Sequence, residues 1–518
     1  PRYFDRTSTS PVVKSTIVRN SNANAPDIVT EYGYRNFSIN KNGLGAEGFQ
    51  VVSARNVESN SLLVKEYFLS HPLTNYQKRR QLYDGNGRTL SKELFEYIQP
   101  PGGSFERYKL GERKPYTVRT YAGHRSQHVN TRAYYYDGNG MDYMIKDLAA
   151  RNSGDKSTYR CRKYRMNTNL WIIDFVTEER VMKTDPRSSS GCRFGGGFDK
   201  SRDLQLTRTS EWYGLPRIQH EWDSGHNRWN RMDFHYGNAG EMTKKVDPNG
   251  NETKYFYSGG SNSHMFTTSV QNSLGQRIFK DFHWGGGIKT HTYANGRQNH
   301  YEYDSFGRLV KGFGPNPITG QKTLLKVIRY DNGGREGKLK ITNYGRRDWG
   351  GDPMRLDTNH HTAIYNSEWL DTVGNKVRNE SNLDVNGKSM ISEMVYNGVG
   401  QLVREYVPYR KGSRRGRYAY TEYERGSPRL KKLVATTGHT TTFSHSANGF
   451  ESWQRTNSPS GRGTTTQYMK KSAKGHTLTK CTNGVCTENT YDALGRTLSV
   501  KGPDNKTRTV SYSSTGLA

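Results

Sequence analysis

No apolar run in this 518-residue chain approaches the ~18 residues that a membrane-spanning helix needs, and no stretch sustains apolar residues at a 3.6-residue period, which excludes a helical bundle. HExxH, GxSxG, GxxxxGK[ST] and CxxC are all missing, and with them the local signatures of zinc peptidases, serine hydrolases, P-loop enzymes and dithiol oxidoreductases. The chain is therefore read as non-enzymatic, with no catalytic residue, no cofactor and no metal. Acidic residues are in deficit: 48 Asp and Glu stand against 78 Lys and Arg, a formal charge of +30 that favours acidic partners such as anionic glycans, nucleic acid or headgroups. The chain starts at Pro1 without a signal peptide, which reads as a processed product or an excised fragment.

What is abundant is tyrosine and glycine. Tyr (35) outnumbers Phe (18) and Trp (8) together, and 55 Gly are spread along the whole length. Tyrosine suits a strand with one wet face, because it offers a packing ring and a polar end, and distributed glycine breaks helices; both point to an all-β fold. The sequence also repeats. Tyr83-Asp84 to Gly87-Arg88, Tyr303-Asp304 to Gly307-Arg308, Tyr330-Asp331 to Gly334-Arg335 and Tyr491-Asp492 to Gly495-Arg496 all read Y-D-x-x-G-R, and weaker copies lie at Tyr136, Tyr236, Leu370, Leu383 and Tyr396. Glycines 400, 426, 449, 475, 495 and 516 recur at a period in the range of stacked repeats.

Each unit has a physical reading. Alternating residues run into the tyrosine, as in His300-Tyr301-Glu302-Tyr303, and should pack it inward on one face. The Asp caps its own backbone in a turn, and the Gly three residues on takes the positive φ that reverses the chain. A second strand then leaves, so that each period is a hairpin, and successive hairpins must pair edge to edge to bury their inner faces.

The cysteines number four. Cys481 and Cys486 frame an Asn483-Gly484 turn that would bring them face to face across a hairpin, and Cys161 with Cys192 is a second candidate pair. An even count without CxxC favours structural disulfides and an extracellular site. Four Asn-x-Ser/Thr triplets, at Asn36, Asn251, Asn379 and Asn505, are candidate glycosylation sites. The densest basic run, Arg410, Lys411, Arg414, Arg415 and Arg417, is weighed as a polyanion contact against the commoner solvated strand face.

Several tempting motifs fail on context. Gly43-x-Gly45-x-x-Gly48 is followed by Phe49-Gln-Val-Val-Ser53, which reads as a strand, whereas a dinucleotide fingerprint needs a helix there. Asp247-Pro248 and Asp352-Pro353 read as turns. His360 and His361 are adjacent, so on a strand they point to opposite faces and make a poor ligand pair. Gly195-Gly-Gly197 and Trp284-Gly-Gly-Gly287 read as bulges or close approaches.

With these repeats, residues 231–518 resemble the YD (Rhs-type) repeat family, which includes the B and C components of bacterial insecticidal toxin complexes and the shells of teneurins. Tyr32-Gly-Tyr34, Gly43 to Phe49, Glu66-Tyr67-Phe68, His71-Pro72-Leu73 and Leu90-Ser91-Lys92 resemble the segment ahead of the repeats in the B components. The resemblance implies a leading segment over 1–100, an irregular or decorated β segment over 101–230 and a repeat array over 231–518, forming a sheet strip that spirals into a hollow shell. No propeller, self-cleavage region or toxin tail is recognisable, and a strip of this length is expected to fall short of enclosing cargo alone. Three functions are therefore expected: a secreted scaffold that self-assembles into a wall, filament or shell, a cocoon subunit of a toxin complex completed by a second Rhs-repeat chain, or a glycan- or nucleic-acid-binding adhesin. For the first, the half-finished unit at Tyr512 is expected to be completed by residues 1–20 of a neighbouring copy, through Val12 to Val18.

Overall fold

The computed structural model describes residues 3–5, 12–19, 27–40, 45–69, 73–97, 117–123, 127–137, 141–151, 153–257, 265–331, 339–346, 349–358, 364–382, 389–461 and 463–515. Among them the chain is all-β. Its 38 strands are interrupted only by two single 3-10 turns, Thr168–Leu170 and Ser190–Cys192.

The topology is a meander. From Ile28–Asn40 onward each strand pairs antiparallel with the next, through Gly45–Asn56, Leu62–Tyr67 and Gln77–Tyr83 and on to the end. The last pair joins Thr497–Lys501 to Thr507–Thr509. The one detour is Tyr409–Arg410, which continues Leu402–Tyr406 along the same neighbour, Met390–Tyr396. Turn chemistry makes the meander regular: four-residue turns that close onto a glycine, as at Asp84–Gly87, Asn272–Gly275 and Ser472–Gly475, join adjacent strands by short antiparallel connections, and no other arrangement has comparable economy.

Side chains alternate between the two faces of one layer, so few are fully enclosed. The buried apolar clusters are small. One holds Met144, Cys161, Met182 and Cys192 with Tyr135, Tyr143, Tyr159 and Phe194 around it, and the other pairs Tyr344 with Tyr365 beside Val327 and Leu356. In each case a connecting segment folds over the sheet, residues 183–202 in the first and residues around Leu356 in the second. The tyrosines of the repeat are accordingly half-buried and not enclosed: Tyr83, Tyr303, Tyr330 and Tyr491 all keep part of their surface wet, because no second layer covers the strip.

Ser15–Val18 pairs with Ile28–Glu31 of its own chain, and Ser514 seats against Trp222 and Ser224.

Candidate functional site: the turns and the seam between coils

The repeating turn has one geometry. In Tyr303-Asp304-Ser-Phe-Gly307-Arg308 the Asp304 Oδ1 accepts the N–H groups of Phe306 (3.0 Å) and Arg308 (2.9 Å), and Arg308 Nε donates to Asp304 Oδ2 at 2.7 Å. Gly307 takes φ +76° and closes onto the Asp304 carbonyl at 3.0 Å. Asp492 and Arg496 repeat this, with Oδ1 accepting from Leu494 and Arg496 (both 2.9 Å) and Arg496 Nε donating to Oδ2 at 2.7 Å. Asp84 accepts from Asn86 (2.9 Å) and Arg88 (2.8 Å), and Gly87 takes φ +77°. One extra residue sits on the strand leaving each turn, Val310 opposite Glu302-Tyr303 and Leu498 opposite Thr490-Tyr491, which bends that strand and adds twist. The third copy departs. Asp331 stays in its strand opposite Lys340 and Tyr330 pairs with Ile341, so this hairpin closes farther out, and Gly334 lies outside the described residues.

Sequence reading missed what the tyrosine hydroxyl does. Tyr303 donates to the Ile288 carbonyl (2.9 Å), Tyr330 to Leu309 (3.2 Å), Tyr396 to Lys376 (3.1 Å), Tyr423 to Leu402 (3.1 Å) and Tyr491 to Thr477 (2.8 Å). Each acceptor opens the strand after the preceding turn on the same side of the strip. The hydroxyl is thus a strut between consecutive turns, and phenylalanine would leave the carbonyl without it. Burial raises the phenol pKa of Tyr303, Tyr396 and Tyr423, so the struts remain donors at neutral pH. The available signal was the excess of Tyr over Phe at the position before the Asp.

These struts define a tyrosine edge and an opposite, far edge of the strip, and the two edges meet. The turn after the fourth strand touches the turn after the twenty-seventh, where Asn56 Nδ2 donates to the Gly398 carbonyl at 3.4 Å. The match then advances turn by turn. Gly85 N–H donates to the Arg425 carbonyl (2.9 Å), Asn448 Nδ2 to Gln127 Oε1 (2.5 Å), Ala473 N–H to the Ser153 carbonyl (2.8 Å) and Lys474 N–H to Asp155 Oδ2 (2.9 Å). At the end Ser224 and Ser514 exchange N–H to Oγ bonds of 2.9 and 2.8 Å. Ahead of all of these, Thr372 Oγ1 donates to the Arg19 carbonyl at 2.5 Å.

The far edge of the first coil therefore lies on the tyrosine edge of the second, as one continuous spiral requires. About 23 strands at ~4.8 Å spacing give a circumference of roughly 110 Å and a diameter of about 35 Å. The strip thus forms an open spiral that completes one circuit and meets itself along the seam. The seam is tight enough to select residues, since a Cβ on Gly85 would lie 2.5 Å from Arg425 and one on Gly123 would lie 2.2 Å from the Ala447 carbonyl. His476 faces Asp155 at 3.4 Å and Lys474 faces Asp147 at 3.7 Å across it.

The other candidates are placed as follows. The sulfur atoms of Cys481 and Cys486 lie 2.05 Å apart across the Asn483-Gly484 turn, and those of Cys161 and Cys192 lie 2.02 Å apart, tying the 183–202 segment to the sheet. Beside the second bond is the fully buried Arg180, which sequence reading did not find. It donates to Asp203 Oδ2 (2.5 Å), Glu178 Oε1 (3.2 Å) and the carbonyls of Gly196 (2.8 Å) and Gly197 (3.1 Å), so the Gly195-Gly-Gly197 run is a close backbone approach to a guanidinium.

The basic run is largely spoken for. Lys411 Nζ pairs with buried Glu380 at 2.8 Å and Arg415 Nε with Glu393 at 2.6 Å, while Arg410 is backbone-paired with Met390. Arg414 and Arg417 are exposed along a shallow cleft shared with Thr436 and Thr437. Asn379 lies inside Lys376–Ser381, paired on both sides. Asn36 and Asn251 bond Gln50 (2.6 Å) and Asp247 (2.9 Å) through Nδ2, and Asn505 sits exposed in a turn at φ +58°. Asp247 and Asp352 cap turns at Asn249 and Met354 (2.9 Å each). Gly45 and Gly48 lie within the strand Gly45–Asn56. Gly43, His360 and His361 fall outside the described residues. Among the described residues no cluster of metal-binding side chains and no helix long and apolar enough to cross a membrane is present.

No family model and no curated protein matches the chain. Solved structures do. A TcdB2-TccC3 crystal structure superposes with TM-score 0.58 at 11% identity, covering 94% of this chain and 37% of that one. TcdB2-TccC3-Cdc42 gives 0.59 at 10% identity over 96% and 39%, and TcdB2-TccC3-TEV gives 0.59 at 10% over 94% and 39%. The fold is that of this YD-repeat toxin-complex shell, and the chain spans less than two fifths of the length of the solved chains it matches.

Proposed function

We propose that this chain is a secreted, non-enzymatic section of the wall of a hollow shell, of the toxin-complex type, that encloses a cargo polypeptide and is extended by a second YD-repeat chain. The seam carries the reading: a strip that registers on itself turn by turn after one circuit surrounds a lumen. With a wall ~10 Å thick, about 25 Å of the ~35 Å diameter is free. That admits an extended or unfolded polypeptide but excludes a compact 100-residue domain, whose radius of gyration alone is about 13 Å. Two disulfides suit an oxidising compartment, which supports secretion.

Small-angle scattering and electron microscopy test this. A hollow particle with a low-density centre is expected, and a polypeptide fused after Ala518 should resist protease until the shell is opened. A solid particle, or a fusion cleaved as fast as the free polypeptide, would remove the reading.

A further inference from the structure

Apart from Val57 (44% exposed) and Val399 (37%), the two engaged rims of the seam carry small or polar tips. On the second coil's tyrosine edge these are Gly398, Arg425, Ala447, Ala473 and Ser514. The first coil's tyrosine edge faces away from the seam, and its successive tips are different. Trp171 is 86% exposed, Tyr213 66%, Met265 70%, Trp284 82% and Phe306 82%. Among the described residues they sit in the connections after the eleventh, thirteenth, seventeenth, nineteenth and twenty-first strands, and the Asn238-Ala239 turn breaks the row. Isolated exposed apolar residues are ordinary, whereas a row of them along one rim marks a contact surface.

We infer that this rim is a dimer interface at which a second copy of the chain joins mouth to mouth, related by a two-fold axis perpendicular to the spiral. Shape and area both select that partner. The tips lie on a ramp that climbs roughly one strand length, about 20 Å, per circuit and so rises about 9 Å along the row. A flat bilayer meets only part of such a ramp. A helical rim, in contrast, maps onto itself under a two-fold axis perpendicular to the helix, so two copies present surfaces of matching pitch, as an isologous interface demands. The five side chains expose roughly 700 Å², close to the ~800 Å² per partner of a standard interface. Trp, Tyr and Phe are also the residues that anchor such contacts.

Sedimentation velocity of the full 518-residue protein at micromolar concentration tests the inference. The wild type should sediment at twice the chain mass. The double variant Trp284→Ser, Phe306→Ser should become monomeric, with association weakened about tenfold or more for each anchor lost, and near-ultraviolet circular dichroism and intact disulfides confirm its fold. Leu274→Ser with Ile318→Ser, two exposed tips on the far edge, should leave the dimer unchanged. A wild-type monomer at all concentrations, a polymer growing beyond the dimer, a dimer indifferent to the rim variant, or a monomer that floats with anionic vesicles through this rim would each overturn it. A monomeric hollow particle would do so while leaving the shell reading intact.

Discussion

Strands Thr158–Asn167, Ile172–Met182 and Asp203–Trp212 run 10 to 11 residues and carry a segment folded over them, whereas between residues 397 and 515 the strands are short and bare. The first region encloses Arg180, Met182, Leu206 and the Cys161–Cys192 bond. In the second, the fully buried positions are Gly398, Ser427, Ser472 and Ser514, all at turns on the tyrosine edge that faces the seam. One part of the strip is held by a miniature core around a buried ion network. The other is held by turn caps, tyrosine struts and contact with the coil beside it, so its stability is a sum of near-neighbour terms. Damage should spread in the first region and stay local in the second.

The largest effect is expected from Arg180→Met. It leaves Asp203 buried without its cation and Glu178 with Arg208 alone, and breaking a buried pair in this way costs about 3–5 kcal/mol. Burial already pushes the Asp203 carboxyl above its usual range against the pull of Arg180, so little margin exists. Hydrogen exchange should show residues 158–212 losing protection together while 430–501 keep theirs; uniform loss along the chain would erase the contrast between the regions.

Cys161→Ser with Cys192→Ser comes next. The bond closes a span of 31 residues, for which chain entropy predicts roughly 3–4 kcal/mol. Trypsin should then cut at Arg187, Arg193 or Arg202 in the freed segment. The same experiment on Cys481 and Cys486, five residues apart, should cost at most about 2 kcal/mol and expose no new site.

A pH titration probes the border between the regions. Burial would raise the Glu380 carboxyl, but hydrogen bonds from Lys411, Tyr365 and Arg378 outweigh it and hold the group below its usual value. Because the folded pKa is depressed, this stabilisation is complete above the unfolded value of about 4.3 and is lost as pH falls through the folded one. Glu380→Gln should therefore lower stability at neutral pH and flatten its decline below about pH 4.5, measured as melting temperature against pH.

The smallest effects belong to single repeat units. Asp492→Ala removes an acceptor for two turn N–H groups and the Arg496 pairing and should cost about 1–2 kcal/mol. Tyr491→Phe deletes one strut and should cost about 1 kcal/mol. In both, faster exchange confined to residues 477–501 is expected, and a global loss would show that the repeats are more cooperative than a chain of neighbours.

The local rules were legible because they are local. Asp304 and Gly307 sit three residues apart, and a side chain that caps its own backbone needs no partner from elsewhere in the chain; the Asn483-Gly484 turn likewise fixes the register of Cys481 against Cys486. The all-β meander follows from that punctuation. What the sequence could not express is anything joining residues hundreds of positions apart. The pairing of Gly85 with Arg425, or of Ser224 with Ser514, depends on how many strands fill one circuit, and that number is set by the twist and bend accumulated over every bulge between them. The same accumulated curvature decides that Ala473 is bonded across the seam while Trp284 and Phe306, in turns of the same type, are left on an open rim. Residue type and spacing determined each turn; only the closed spiral decided which turns meet.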